Sequence, residues 1–120
     1  MTKLKNNGNN FNFKKKLSPN FSLRSSYKIE FIIIHYTGMN SLKSCIDRFL
    51  QKTSKVSCHW LISKKGTIYQ IVKEENKAWH AGQSQWKNYK LLNENSIGIE
   101  LDNPGHGRSY KKFTKRQYYS

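Results

Sequence analysis

Two residues of this chain are placed where a sheet could use them for chemistry. His35 closes the apolar run Phe31-Ile32-Ile33-Ile34, and Glu100 sits inside Ile97-Gly98-Ile99-Glu100-Leu101. A run as short and apolar as the first reads as a strand buried on both faces, in the middle of an α/β sheet. Ligands of such sheets bind at the carboxyl ends of the strands, which is where His35 falls. A neutral imidazole held there suits a metal ion, and it equally suits a plain strand cap bonded to a neighbour. Glu100 shares a strand face with Gly98, opposite Ile97, Ile99 and Leu101. A carboxylate in so apolar a setting is expected to keep its proton to a higher pH, as a general base does, unless that face is solvated. Gly98 leaves room beside it for another group.

Three more histidines complete the set. In Ala78-Trp79-His80-Ala81-Gly82 an aromatic and an imidazole stand between small residues, so a ligand could approach closely. His59 shares a strand face with Leu61 and reads as a core or supporting residue, and His106 follows Pro104-Gly105 in an exposed turn. A catalytic zinc takes three protein ligands and an open position. No pair of histidines has the spacing of a helical chelate, so spacing alone assembles no such site.

The elements that must position these groups follow from periodicity. Ile29 to Tyr36 is the first strand. From Ser41 to Gln51, Leu42, Cys45, Ile46, Phe49 and Leu50 recur at helical spacing and form one face for the sheet. Val56 to Ser63 and Thr67 to Val72 are strands joined by Lys64-Lys65-Gly66, which predicts a β-hairpin. Lys73 to Asn95 reads as a long irregular segment anchored by Trp79, Trp86, Tyr89 and Leu91, and ordered loops of that length usually carry function. Ile97 to Asp102 is the last strand. Thr114 and Gln117 have capping-box spacing, and Phe113 with Tyr118 fits the accompanying hydrophobic staple, so a helix opens there.

Composition narrows the classes. The chain has 120 residues and a formal charge of +15 from 22 basic and 7 acidic residues. One domain is expected, from about Lys28 onward, with residues 1–27, rich in Asn, Lys and Ser, as a flexible basic arm. The charge suits polyanions. Lysines are scattered along the chain and arginines are sparse, however, and no nucleic-acid module is recognisable, so nucleic acid is not expected as a partner. Cys45 and Cys58 lack paired metal spacing and read as two buried reduced thiols. With no secretory signal and no segment long enough to span a membrane, the expected compartment is the cytoplasm.

Several blocks in order resemble the zinc-dependent N-acetylmuramoyl-L-alanine amidases of type 2. They are Ile-Ile-Ile-His35-Tyr-Thr, Val56-Ser-Cys-His59-Trp-Leu-Ile62, Gly66-Thr-Ile-Tyr-Gln70, Ala78-Trp79-His80-Ala81-Gly82, Asn95-Ser-Ile-Gly-Ile-Glu100 and Asn103-Pro-Gly-His106, followed by Phe113 and Gln117. The resemblance runs from about Ile29 to the end. It implies an α/β fold with a central mixed β-sheet flanked by helices. It also implies hydrolysis of the amide joining N-acetylmuramic acid to L-alanine in peptidoglycan or muropeptides. By resemblance His35 is a zinc ligand and Glu100 the catalytic carboxylate. Trp79, His80 and Asn95 belong to the substrate groove by the same resemblance, which does not make His80 a zinc ligand. The family's other two zinc ligands, a His and an Asp or Cys, lie beyond the helix that opens near Thr114, as does an oxyanion-stabilising Lys. The expectation is therefore a domain incomplete at its C-terminus: an amidase by family, or an inactive remnant that at most binds muropeptides.

Overall fold

The computed structural model describes residues 5–6, 9–25, 28–82, 84–107 and 111–120. Its main strands are β1 (Asn12–Lys15), β2 (Phe21–Leu23), β3 (Phe31–Tyr36), β4 (Trp60–Ile62), β5 (Thr67–Gln70), β6 (Asn76–Ala78) and β7 (Ser96–Leu101). The helices are α1 (Leu42–Leu50) and the short α2 (Lys115–Tyr118). Five strands form one mixed sheet in the order β1-β5-β4-β7-β3. In it β4 and β5 are the expected antiparallel hairpin, and β3 and β4 flank β7 in parallel. β2 and β6 make a separate antiparallel pair.

α1 starts where the Ser41 Oγ accepts the Ser44 N–H at 3.1 Å, relieving one of the helix's orphan donors. Its apolar face packs Cys45 and Phe49 onto Leu61, Tyr69, Ile71 and Val72 to form the core. Full burial of side chains such as Leu61 and Ile71 contributes roughly 1.5–3 kcal/mol each relative to exposure. At the other end, Thr114 and Gln117 form the expected capping box, with the Phe113 and Tyr118 rings 6.3 Å apart. Gln117 is buried, and its Nε2 donates to the carbonyls of Ile62 and Asp102.

Three expectations need correction. First, β3 is not a central strand: it lies at the sheet edge, with Ile32 and Ile34 on its outer face 67% and 64% exposed. Hydrophobicity proposed a strand covered on both sides, but α1 covers only one side. Second, residues 12–25 do not behave as an arm separate from the domain. β1 pairs with β5, and Ser18, Asn20 and Arg24 are buried. These side chains meet backbone carbonyls rather than an apolar core, so hydropathy could not find them. The remainder of that expected arm includes residues 1–4, 7–8 and 26–27, which lie outside the described residues. Third, of the expected anchors of the long connection only Trp79 holds it, half-buried with its Nε1 donating to the Ser22 Oγ; Trp86 and Leu91 are exposed, and the Tyr89 side chain lies outside the described residues. Ala78, fully buried within β6, anchors it beside Trp79.

Candidate functional site

Parallel pairing of β3 with β7 decides the site. His35 stands directly opposite Glu100 in the register, and Ile33 opposite Gly98. Opposed residues of neighbouring strands project to the same face, so the imidazole and the carboxylate share the side that α1 covers. The gap at Gly98 is filled by His80: a Cβ there would lie 2.4 Å from the His80 ring. His80 Nδ1 lies 3.0 Å from His35 Nε2, and its Nε2 lies 3.0 Å from the Ser96 Oγ. As a neutral ring with one N–H, His80 donates at one nitrogen and accepts at the other.

His59 supports this face from within and is completely buried. The Gly98 N–H donates to its Nδ1 at 2.9 Å, so that nitrogen is bare and Nε2 carries the proton, donating to the Asn76 carbonyl. The His59 N–H in turn donates to the Gly98 carbonyl. One glycine is thus held on both its backbone groups by one histidine, which fixes the strand on which Glu100 is carried.

Burial sets the electrostatics. It pushes the Glu100 carboxyl up to about 7, and Oε2 has no hydrogen-bond partner among the described residues. Burial first, and then the nearby His35, His59 and Arg24, bring His80 down to about 3, and burial lowers His35 as well. Both rings are therefore neutral near pH 7 and can offer lone pairs. The thiols of Cys45 and Cys58 are buried, free and pushed up by desolvation, so they are inert.

A cleft of about 290 Å³ opens here, lined by Thr37, Met39, Arg48, Val56, Trp79, His80 and Glu100 among others. A larger hollow of about 350 Å³ lies beside Tyr36, His106, Lys111 and Phe113 and includes neither His80 nor Glu100. The smaller cleft is the candidate site, because it holds the carboxylate whose pKa burial raises. Of the residues singled out in the sequence, Trp79, His80 and Glu100 line it, and His35 reaches it through His80. Asn95 does not line it: its backbone carbonyl accepts from Glu30 and Phe31, and its Oδ1 is buried without a partner among the described residues. Arg48 lines the cleft as well. It sits on the polar side of α1, and only the fold brings it to the cleft.

The donor set does not fit a three-ligand zinc. Among the described residues, no group of three or more His, Cys, Asp or Glu side chains could hold a metal ion. His35 Nε2 already contacts His80.

Residues 25–120 match the family model described as N-acetylmuramoyl-L-alanine amidase. The chain belongs to this amidase family. It is 38% identical over 89 residues to the N-acetylmuramoyl-L-alanine amidase AmiD of Escherichia coli, covering 68% of this chain and 31% of AmiD. It is 31% identical over 121 residues to the 1,6-anhydro-N-acetylmuramyl-L-alanine amidase AmpD of Haemophilus influenzae, covering 86% of this chain and 64% of AmpD. The fold matches a solved complex of E. coli AmiD with the substrate anhydro-N-acetylmuramic acid-L-Ala-D-γ-Glu-L-Lys. The TM-score is 0.66 at 33% identity, covering 82% of this chain and 42% of that one. The chain thus spans less than two thirds of either curated relative. Family membership also places the mixed α/β sheet among those of the amidases. No helix of the described residues is long and apolar enough to cross a membrane.

Proposed function

We propose that this chain carries the carboxylate and substrate-groove part of an N-acetylmuramoyl-L-alanine amidase acting on muropeptides. The observation that supports it is the pairing of His35 with Glu100 across β3 and β7, with the Glu100 carboxyl held near neutrality in a cleft walled by Trp79 and His80. A carboxyl poised near pH 7 can take a proton from an attacking water and return it to a leaving amine. Glu100 is the general base in this reading, and Trp79 and His80 orient the sugar and peptide. Asn95 contributes from the start of β7 by holding β3 in place. Arg48 adds a cation at the cleft. A γ-linked glutamate, such as the one in the AmiD complex, keeps its α-carboxylate free, and a guanidinium recognises such a group well.

By resemblance His35 is a zinc ligand, and among the described residues no group of three or more His, Cys, Asp or Glu side chains could hold a metal ion. That mismatch, with His35 turned to His80, favours a second reading in which the cleft binds muropeptides without metal or turnover. The buried, unpaired thiols of Cys45 and Cys58 are compatible with the cytoplasmic setting of this reading. The deciding experiment measures zinc per chain and release of free peptide from a muropeptide, for the native chain, His35→Ala and Glu100→Gln. Stoichiometric zinc with turnover lost in both variants supports the hydrolase. Saturable binding without zinc or turnover supports the binding module. Absence of both binding and turnover removes the proposal.

A further inference from the structure

Arg24 belongs to the polar segment that hydropathy would leave outside the fold, yet it is 9% exposed. Its Nε donates to the Glu74 carbonyl at 3.0 Å. Nη1 donates to the carbonyls of Asn93 at 3.0 Å and Glu94 at 2.6 Å, and Nη2 donates to the Ser96 carbonyl at 2.7 Å. One planar guanidinium thereby ties together both ends of the long connection between β5 and β7. Its Nη2 also packs 3.0 Å from the ring of His59.

The connection so tied carries the cleft wall. The Asn93 Oδ1 accepts the N–H groups of His80 at 3.1 Å and Ala81 at 2.8 Å. His80 then reaches His35 on one side and Ser96 on the other. The chain of contacts runs from Arg24 to the Asn93 backbone, through the Asn93 side chain to the His80 backbone, and from the His80 ring to His35. Each link is a hydrogen bond or ring contact between groups that are wholly or partly buried. Partial burial limits how well water can substitute for a lost partner.

We propose that Arg24 is a positioning residue of the cleft: its guanidinium holds Asn93, and Asn93 holds the Trp79–His80 segment against β7. The role in ligand binding rests on the muropeptide reading above, while the mechanical linkage does not. A lysine cannot reproduce it, because a single ammonium cannot span carbonyls from Glu74 to Ser96 as the fork does.

Amide hydrogen exchange on the whole chain tests the linkage directly, using Arg24→Met, Arg24→Lys and Asn93→Ala. Arg24→Met is expected to speed exchange at His80 and Ala81 at least tenfold while the β4–β5 hairpin keeps its native rates. Arg24→Lys should restore little of that protection. Asn93→Ala, which spares the bonds from Arg24 to the backbone, should expose the same two amides. Unchanged protection of His80 and Ala81 in a folded Arg24→Met chain overturns the proposal, as does uniform acceleration at every amide or full rescue by lysine. Should Arg24→Met not fold, native rates at those amides in Asn93→Ala overturn it instead. Binding of a muramyl dipeptide, followed in parallel, should weaken at least tenfold in Arg24→Met. If the native chain binds none, the functional reading falls, while the exchange pattern still decides the role of Arg24.

Discussion

Residues 18–24 and residues 31–36 invert the usual rule of inside and outside. In the first, the polar Ser18, Asn20 and Arg24 are buried while Phe21 and Leu23 are exposed, and Asn20 is wholly inaccessible. The second is apolar, yet half of it faces outward on β3. The Asn20 amide NH2 shares its two hydrogens among the carbonyls of Phe49, Gln51 and Val56 and the Ser54 Oγ, closing the C-terminal end of α1. Ser18 also donates to the Phe49 carbonyl, and the Ser57 Oγ to the carbonyl of Asn20. Burial in this molecule follows the supply of partners: exposed backbone carbonyls recruit polar side chains inward, while an apolar face without a covering element stays out.

Substitutions on both sides of this contrast should differ sharply. Replacing Asn20 by Ala takes the donor from the Val56 carbonyl and one of several from those of Phe49 and Gln51, and should lower stability on the order of 1–3 kcal/mol in urea unfolding. A loss below 1 kcal/mol would show that water reaches those carbonyls and takes the place of the lost amide.

Glu100→Gln should act in the opposite direction. With its folded-state pKa raised from 4.5 to about 7, Glu100 keeps a proton that the unfolded chain has released. Stability from this group is therefore intact below pH 4.5, falls as pH rises toward 7, and stays lowered above it. At pH 8 the Gln variant should be more stable by up to about 3 kcal/mol, with a flatter pH profile between 4.5 and 7. In the hydrolase reading, native turnover should rise through a midpoint near pH 7. An identical pH–stability curve for both chains would mean that Glu100 is solvated.

Gly98→Ala should cost about 1–3 kcal/mol, since the new methyl group occupies the position of the His80 ring. The His80 imidazole resonances should shift with it. At the small end, Ile32→Thr with Ile34→Thr should change stability by less than about 0.5 kcal/mol, because both side chains already face solvent. A loss well above 1 kcal/mol would instead place another surface over that face in solution.

Much of the frame was legible in the residues. Periodicity located β3, α1, the β4–β5 hairpin and β7 to within a few residues, and the Thr114–Gln117 spacing foretold a capping box that the structure contains. The room beside Gly98 was legible too, but its occupant was not, because the contact of His80 with His35 depends on which strands pair and in which register. The edge position of β3 was hidden for the same reason: a row of isoleucines reports an affinity for cover without reporting whether cover exists. Arg24 and Asn20 were the least visible. Their partners are backbone carbonyls, and any sequence has those, so only a folded chain reveals which polar residue meets them.

The outer isoleucines of β3 have a consequence for handling the molecule in solution. A hydrophobic strand at the sheet edge invites a neighbouring molecule to add to the sheet, and what opposes that approach is the repulsion between chains of charge +15. Raising ionic strength shortens the range of that repulsion to about 3 Å at 1 M salt while leaving the attraction between isoleucines in force. Dilute buffer should keep the molecules dispersed, and concentrated salt should drive them to precipitate, the reverse of the salting-in expected of a weakly charged protein.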